Sequence, residues 1–162
     1  MGGGKNVLQI TYGVIYLLLF IKEYRNLFYL RVGKWKYMLC YLPPLSSLYI
    51  HTRSENFGAG TFIQHGFATI ITADHVGEDC WINQQVTIGY NHSKKYGYGR
   101  PWIGDHVRVS CGAKIVGKIH VGNESVIGVN SVVVKDVPSR STVVSSPAML
   151  IREEGEAVYK KL

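Results

Sequence analysis

The sequence predicts a mainly β protein, a parallel β-helix wound from six-residue repeats behind a short helical N-terminal arm. Three observations carry that prediction. An aliphatic residue recurs at every sixth position from Ile103 through Val109, Ile115, Val121 and Ile127 to Val133, and the same step links Val76, Ile82 and Ile88. Small residues often follow the aliphatic, at Gly77, Gly89, Gly104, Ser110, Gly122 and Gly128, and compact ones stand four positions after it, at Cys80, Val86, Val107, Ala113, Ser125 and Ser131. The step breaks once, between Ile88 and Ile103, where removing nine residues would restore it.

A period of six is neither the 3.6 of a helix nor a hairpin spacing. It suits a triangular coil, in which each flat side takes six residues and turns its aliphatic inward. Three sides make a coil of about 18 residues, and stacked coils bury one continuous aliphatic column. An earlier part of the frame reads Phe57, Ile63 and then Ile70, one residue late.

The interruption, the polar stretch NHSKKYGYGRPW over residues 91–102, is expected to project as a loop from one corner, where repeat folds tend to carry function. Residues 48–150 form the repeat domain and residues 1–47 the arm. Tyr24, Phe28, Arg31/Val32, Trp35 and Leu39 follow a helical spacing that Pro43–Pro44 should stop. The arm is expected to cover the open edge of the first coil, as terminal caps do. At the other end the chain should leave the repeat at Pro138 and fold back, with residues 151–162 as a tail.

Composition bounds the function. With 46% hydrophobic and 18% charged residues the 162-residue chain is globular, not disordered. Cys40, Cys80 and Cys111 show no CxxC spacing and leave one over, which excludes a disulfide framework and suits a reducing, cytoplasmic compartment. The start carries no recognisable secretory signal. The apolar run around VIYLLLFI (14–21), extended back to Val7, reaches 15 residues broken by Gln9, Thr11 and Gly13, short of the roughly 20 that span a bilayer. Charge is uneven: residues 1–53 hold seven cations against Glu23 alone, +6, and residues 54–162 hold eleven against ten, +1. A neutral body without interleaved aromatics and cations argues against nucleic acid, while the basic arm could meet a membrane surface peripherally.

The repeats, the QHG histidine, the interrupting loop and the closing GVNSVVVKDVP…SPA of residues 128–148 together resemble the hexapeptide-repeat acyltransferases. The resemblance spans roughly residues 48–150 and is nearest the serine acetyltransferases and the O-acetyltransferases of capsule and exopolysaccharide sugars. It implies a left-handed β-helix, a homotrimer, and acetyl-CoA as co-substrate in the groove between subunits. It also implies an acetyl-CoA-dependent O-acetyltransferase. His51, His75, His106 and His120 show no ligand spacing with cysteine or carboxylate, so no structural metal is expected.

Acetyl transfer from a thioester to a hydroxyl needs a base, charge stabilisation at the carbonyl oxygen and aligned substrates. Imidazole, with an unperturbed pKa near 6.5, suits the first task. His65 matches the family's catalytic histidine, and Gly66 would allow a substrate close approach. By position in the family groove, Tyr90, Cys111 and Val129 would line the pantetheine arm through their backbone, with Lys135 and Arg140 near the nucleotide phosphates. Cys111 is read as a packed residue, not a nucleophile.

The sequence departs from the serine-specific pattern. Gln64 stands where an aspartate precedes the catalytic histidine, Tyr49 where another lies one coil earlier, and Gly99-Arg100-Pro101 replaces a loop RHP. Tyr49, Gln64, His92 and Arg100 are therefore expected at the acceptor, either L-serine or a saccharide hydroxyl, to which Asn91 could also hydrogen-bond. Loss of both carboxylates also leaves open a catalytically silent trimer that serves as a scaffold.

Overall fold

The computed structural model describes residues 7–39, 41–92, 98–145, 149–153 and 156–161. Lys5, Cys40 and the middle of the loop lie outside them. The body is a left-handed parallel β-helix of three stacked sides. The first side stacks Leu48–Ile50, Thr69–Ile71, Thr87–Gly89, Lys114–Val116 and Val132–Val133. The second stacks His75–Val76, Trp102–Ile103 and His120–Val121; the third stacks Phe62–Ile63, Trp81–Ile82, Arg108–Val109, Val126–Ile127 and Thr142–Val143.

The aliphatic frame fills the prism. Ile82, Ile88, Ile103, Ile115, Val121 and Ile127 are fully buried, and so are Val86, Val107, Ala113, Ser125 and Ser131 from the compact positions. Each large side chain so buried contributes about 1.5–3 kcal/mol of apolar burial. Val76 pairs directly with Ile103, so the residues between Ile88 and the second side leave the coil and return to it without disturbing the stack. At one corner the coils approach too closely for side chains. A Cβ on Gly58, Gly77, Gly104 or Gly122 would fall within 2.2–2.4 Å of atoms in the following coil. On the second side His75, Trp102 and His120 stack, with ring centroids 4.7 and 4.3 Å apart, which accounts for two histidines that lack ligand spacing.

Three expectations need correction. The inward residue of the second coil is Ile71, fully buried, while Ile70 is 40% exposed. The helical arm does not run to the prolines. It comprises α1 (Val7–Phe20) and α2 (Lys22–Val32), and α2 stops at Gly33, whose φ of +57° ends the helix before a 3-10 segment to Leu39. The repeat does not end at Pro138 either, because Val137 bridges to Val121 and Thr142–Val143 still pairs with Val126–Ile127. Beyond it, Met149–Glu153 and Glu156–Lys161 form an antiparallel hairpin.

The arm caps the first coil through α2. Leu27 and Leu30 pack on the core. The Asn26 amide donates to the Leu45 and Leu48 carbonyls at 3.0 and 3.2 Å and accepts from the Leu45 N–H at 2.8 Å. Arg31 donates to the carbonyls of Ser54, Phe57 and Gly58.

Candidate functional site at the corner of the prism

His65 owes its display to a local irregularity in the winding. Ile63 lies beside Ile82 and Ile71 beside Ile88, so eight residues separate the first pair of inward positions where six separate the next. Backbone bonds from Gln64 N–H to the Ile82 carbonyl and from Gln85 N–H to the Phe67 carbonyl fix both flanks. The two extra residues are His65 and Gly66. They bulge from the corner joining the third side to the first, and His65 is exposed with φ of +52°. Such a backbone is uncommon for residues other than glycine, and asparagine, aspartate and histidine are enriched among those that adopt it.

The bulge is held from outside the coil. Glu23, in the first turn of α2, accepts a hydrogen bond on Oε1 from the Gly66 N–H at 3.2 Å. Gly66 is buried, and a Cβ there would meet side-chain atoms of Ile63 at 2.8 Å, Leu48 at 3.1 Å and Glu23 at 3.2 Å, so a side chain at this position would push against both the coil and the arm. Sequence reasoning missed Glu23, because it lies 42 positions before His65 in another element and no spacing connects them.

A cleft of about 420 Å³ opens beside His65, lined on one wall by Leu17, Ile21, Glu23, Tyr24 and Leu27 and on the other by Thr61–His65. Gln64 lies beside the ring, with Nε2 3.5 Å from His65 Nε2. Its Oε1 accepts from Trp81 Nε1 at 3.0 Å, and the indole also donates to Asn83 at 2.9 Å with Arg108 over its ring at 5.7 Å. Trp81 was not foreseen as a support for Gln64. Its outward place on a third-side strand, beside Phe62, was the available signal.

Below the bulge, the same corner carries two other expected residues. Phe67, Gln84, Cys111 and Val129 succeed one another down the edge, each carbonyl but the last accepting from the coil beneath. The N–H groups of Gln84, Cys111 and Val129 have no hydrogen-bond partner among the described residues. At about 4.8 Å per coil, they form a row of unpaired donors reaching about 14 Å from the bulge. Cys111 is half-buried there. Cys80, by contrast, is sealed in the core, where burial pushes its thiol up to about 11.

The remaining expected residues lie elsewhere. Tyr90, His92 and Arg100 gather at the opposite edge of the first side, where the loop leaves and returns. All three are exposed. The His92 ring meets Tyr90 and Tyr98 edge-on at 4.9 and 4.6 Å, and Nδ1 pairs with the Tyr98 hydroxyl. Lys135 is exposed on that same edge, and Arg140 lies on the third corner. Tyr49, half exposed on the first coil, lines a separate cleft of about 590 Å³ between the coil and the arm. A single chain thus keeps the histidine edge and the loop edge apart, on either side of one flat face.

The left-handed hexapeptide prism, its one interrupting loop and the histidine bulge define the class of architecture. Within that class the chain is similar to serine acetyltransferases. It is 39% identical over 104 residues to the serine acetyltransferase of Staphylococcus aureus strain Mu50, covering 64% of this chain and 48% of that one. For the Staphylococcus xylosus enzyme the figures are 38% over 112 residues, 68% and 51%. The chain therefore spans about half the length of the curated relatives it matches. Among solved structures, serine acetyltransferase from Brucella abortus strain S19 matches with a TM-score of 0.63 at 29% identity, over 85% of this chain and 58% of that one. The Neisseria gonorrhoeae enzyme in complex with serine matches with 0.51 at 32%, over 60% and 40%. No family model matches the chain.

Proposed function

We propose that the protein is an acetyl-CoA-dependent O-acetyltransferase with His65 as general base. The observation that carries this reading is the alignment, on one edge, of an exposed imidazole and a row of unpaired backbone donors. An extended pantetheine arm can add to that edge as a strand adds to a sheet, bringing its thioester up to the histidine. His65 takes the proton as the acceptor oxygen attacks the acetyl carbonyl. A C–O bond forms, the C–S bond breaks, and the released thiolate is protonated to give free CoA. Lys135, on the loop edge, would meet the nucleotide phosphates.

The separation of the two edges supports a homotrimer in which the loop of one copy, with Tyr90, His92 and Arg100, faces His65 of the next. L-serine is the acceptor that the relatives' name supports. A saccharide hydroxyl is the second reading, favoured by Gln64, which stands beside His65 where an ammonium group would call for a carboxylate. The test is a panel of L-serine, simple sugars, nucleotide sugars and capsule oligosaccharide, each incubated with acetyl-CoA and examined by mass spectrometry for an acetylated product. A product in any arm supports transfer and names the acceptor. No product in any arm favours the silent scaffold.

Glu23 acts as a positioning residue, which fixes the bulge and hence the placement of His65. A charge-assisted hydrogen bond of this kind is worth about 1.5–3 kcal/mol. Glu23→Ala should lower kcat about ten-fold with the KM for acetyl-CoA unchanged, and Glu23→Gln, which keeps the acceptor, should recover most of the loss. A rise in KM without a fall in kcat, or no recovery by glutamine, would refute that role.

A further inference from the structure

We infer that α1 is an interfacial membrane helix that docks the protein on an anionic bilayer surface. This inference is independent of acetyl transfer. The 14 residues of α1, VLQITYGVIYLLLF, carry no charge, and none of them is buried. Gly13, Val14, Leu17 and Leu18 are half-buried along one line; around the rest of the helix Val7, Leu8, Ile10, Tyr12, Ile15, Tyr16, Leu19 and Phe20 are exposed, with only Gln9 and Thr11 as polar residues among them, and the Thr11 hydroxyl is turned back onto the Val7 carbonyl. A surface helix normally leaves a polar face to water, and one that is apolar all round belongs in a core or in lipid.

The length decides how it meets lipid. Over its described residues, at 1.5 Å per residue, α1 is about 21 Å long, short of the roughly 30 Å of a hydrocarbon core. No single helix among the described residues is long and apolar enough to cross a membrane. Val7–Phe20 and Lys22–Met38 reach the length and composition of a span only together and across a 112° bend, and α2 is held on the coil by Leu27, Leu30 and Asn26, so α1 can lie in the plane of a surface while α2 stays packed.

Charge and aromatic placement select the lipid. Of the arm's cations Arg25 is buried and Arg31 is bonded to the first coil, which leaves Lys22, Lys34, Lys36 and Arg53 exposed among the described residues. Just after α2, exposed Lys34 and Lys36 alternate with Trp35, Tyr37 and Met38, which are 70–73% exposed, and Tyr41 follows at 86%. Tryptophan and tyrosine interleaved with lysine suit the headgroup region, and cations there favour acidic phospholipids. A second copy of the chain could cover one stripe of α1, but it would leave this cationic aromatic segment without a complement.

The test is co-sedimentation of the full chain with vesicles of phosphatidylcholine alone and of phosphatidylcholine with one third phosphatidylglycerol, with sedimentation velocity run in parallel. Binding to the anionic vesicles, weakened by salt, is expected. Ile15→Asp/Leu19→Asp should lower the partition coefficient at least ten-fold, and Lys34→Glu/Lys36→Glu should remove the preference for phosphatidylglycerol while both variants keep the wild-type circular dichroism. Because these side chains are exposed, neither pair should unfold the protein. Wild type that stays in the supernatant overturns the inference. So does a change of oligomeric size in the α1 variant with no change in vesicle binding, which would assign α1 to a second copy.

Discussion

Replacing His65 by alanine should lower the rate of acetyl transfer by about 10²–10⁴-fold, the range in which a positioned general base contributes. At about 1.4 kcal/mol per decade that is a loss of about 3–5 kcal/mol of transition-state stabilisation. The loss should fall on kcat. The KM for acetyl-CoA should hardly move, since the donors expected to bind pantetheine are the backbone N–H groups of Gln84, Cys111 and Val129, which the substitution leaves in place. Stability should also be nearly unchanged, because the imidazole is exposed and its ring contact with Gln64 is long, 3.5 Å. Steady-state kinetics beside thermal unfolding measures both. Retention of more than half the wild-type kcat would remove His65 from the chemistry.

The second large effect is on folding. Gly77→Ala should destabilise the prism by about 3 kcal/mol, the upper range for forced overpacking, and lower the melting temperature by about 6–12 °C. The added Cβ would lie 2.5 Å from the carbonyl carbon and oxygen of Gly104, and 2.4 Å from Asp105 Oδ1. Gly104 cannot retreat, because its own N–H donates to Val121 and its place is fixed against Asn123 in the coil beneath. Gly13→Ala is the contrasting change. Nothing lies within 4 Å of its Cβ position, and a glycine inside a helix costs about 1 kcal/mol relative to alanine, so this variant should gain stability. Thermal unfolding of the two variants checks both signs. An unchanged melting temperature for Gly77→Ala would mean that the coils are not stacked this closely.

The prism was legible in the sequence because its core repeats one decision. Each inward position must be aliphatic, and the compact residues four places on must fit the same interior, so Ile103 through Val133 announce their own stacking. The glycine signal was only partly specific. Gly77, Gly104 and Gly122 are forced by neighbouring backbone, whereas Gly89 has room for a Cβ, with its nearest neighbour 3.8 Å away. The late Ile70 was the trace of the bulge, but a frame counted in sixes could not tell one extra residue from two. Glu23 was invisible because the arm meets the coil through tertiary packing, which leaves no period. The early stop of α2 is written in Gly33, whose left-handed backbone ends the helix ten positions before the prolines. Tyr49 illustrates the opposite limit: its place on the first coil can be counted, whereas its position in the cleft between coil and arm follows from tertiary packing.

The proposed mechanism has thioester and base meet at the edge below His65, and amide hydrogen exchange with and without CoA measures that directly. Slower exchange on CoA binding at Gln84, Cys111 and Val129, with the rest of the third side unaffected, is the expected result. Protection confined to another corner of the prism, or none at saturating CoA, would contradict it.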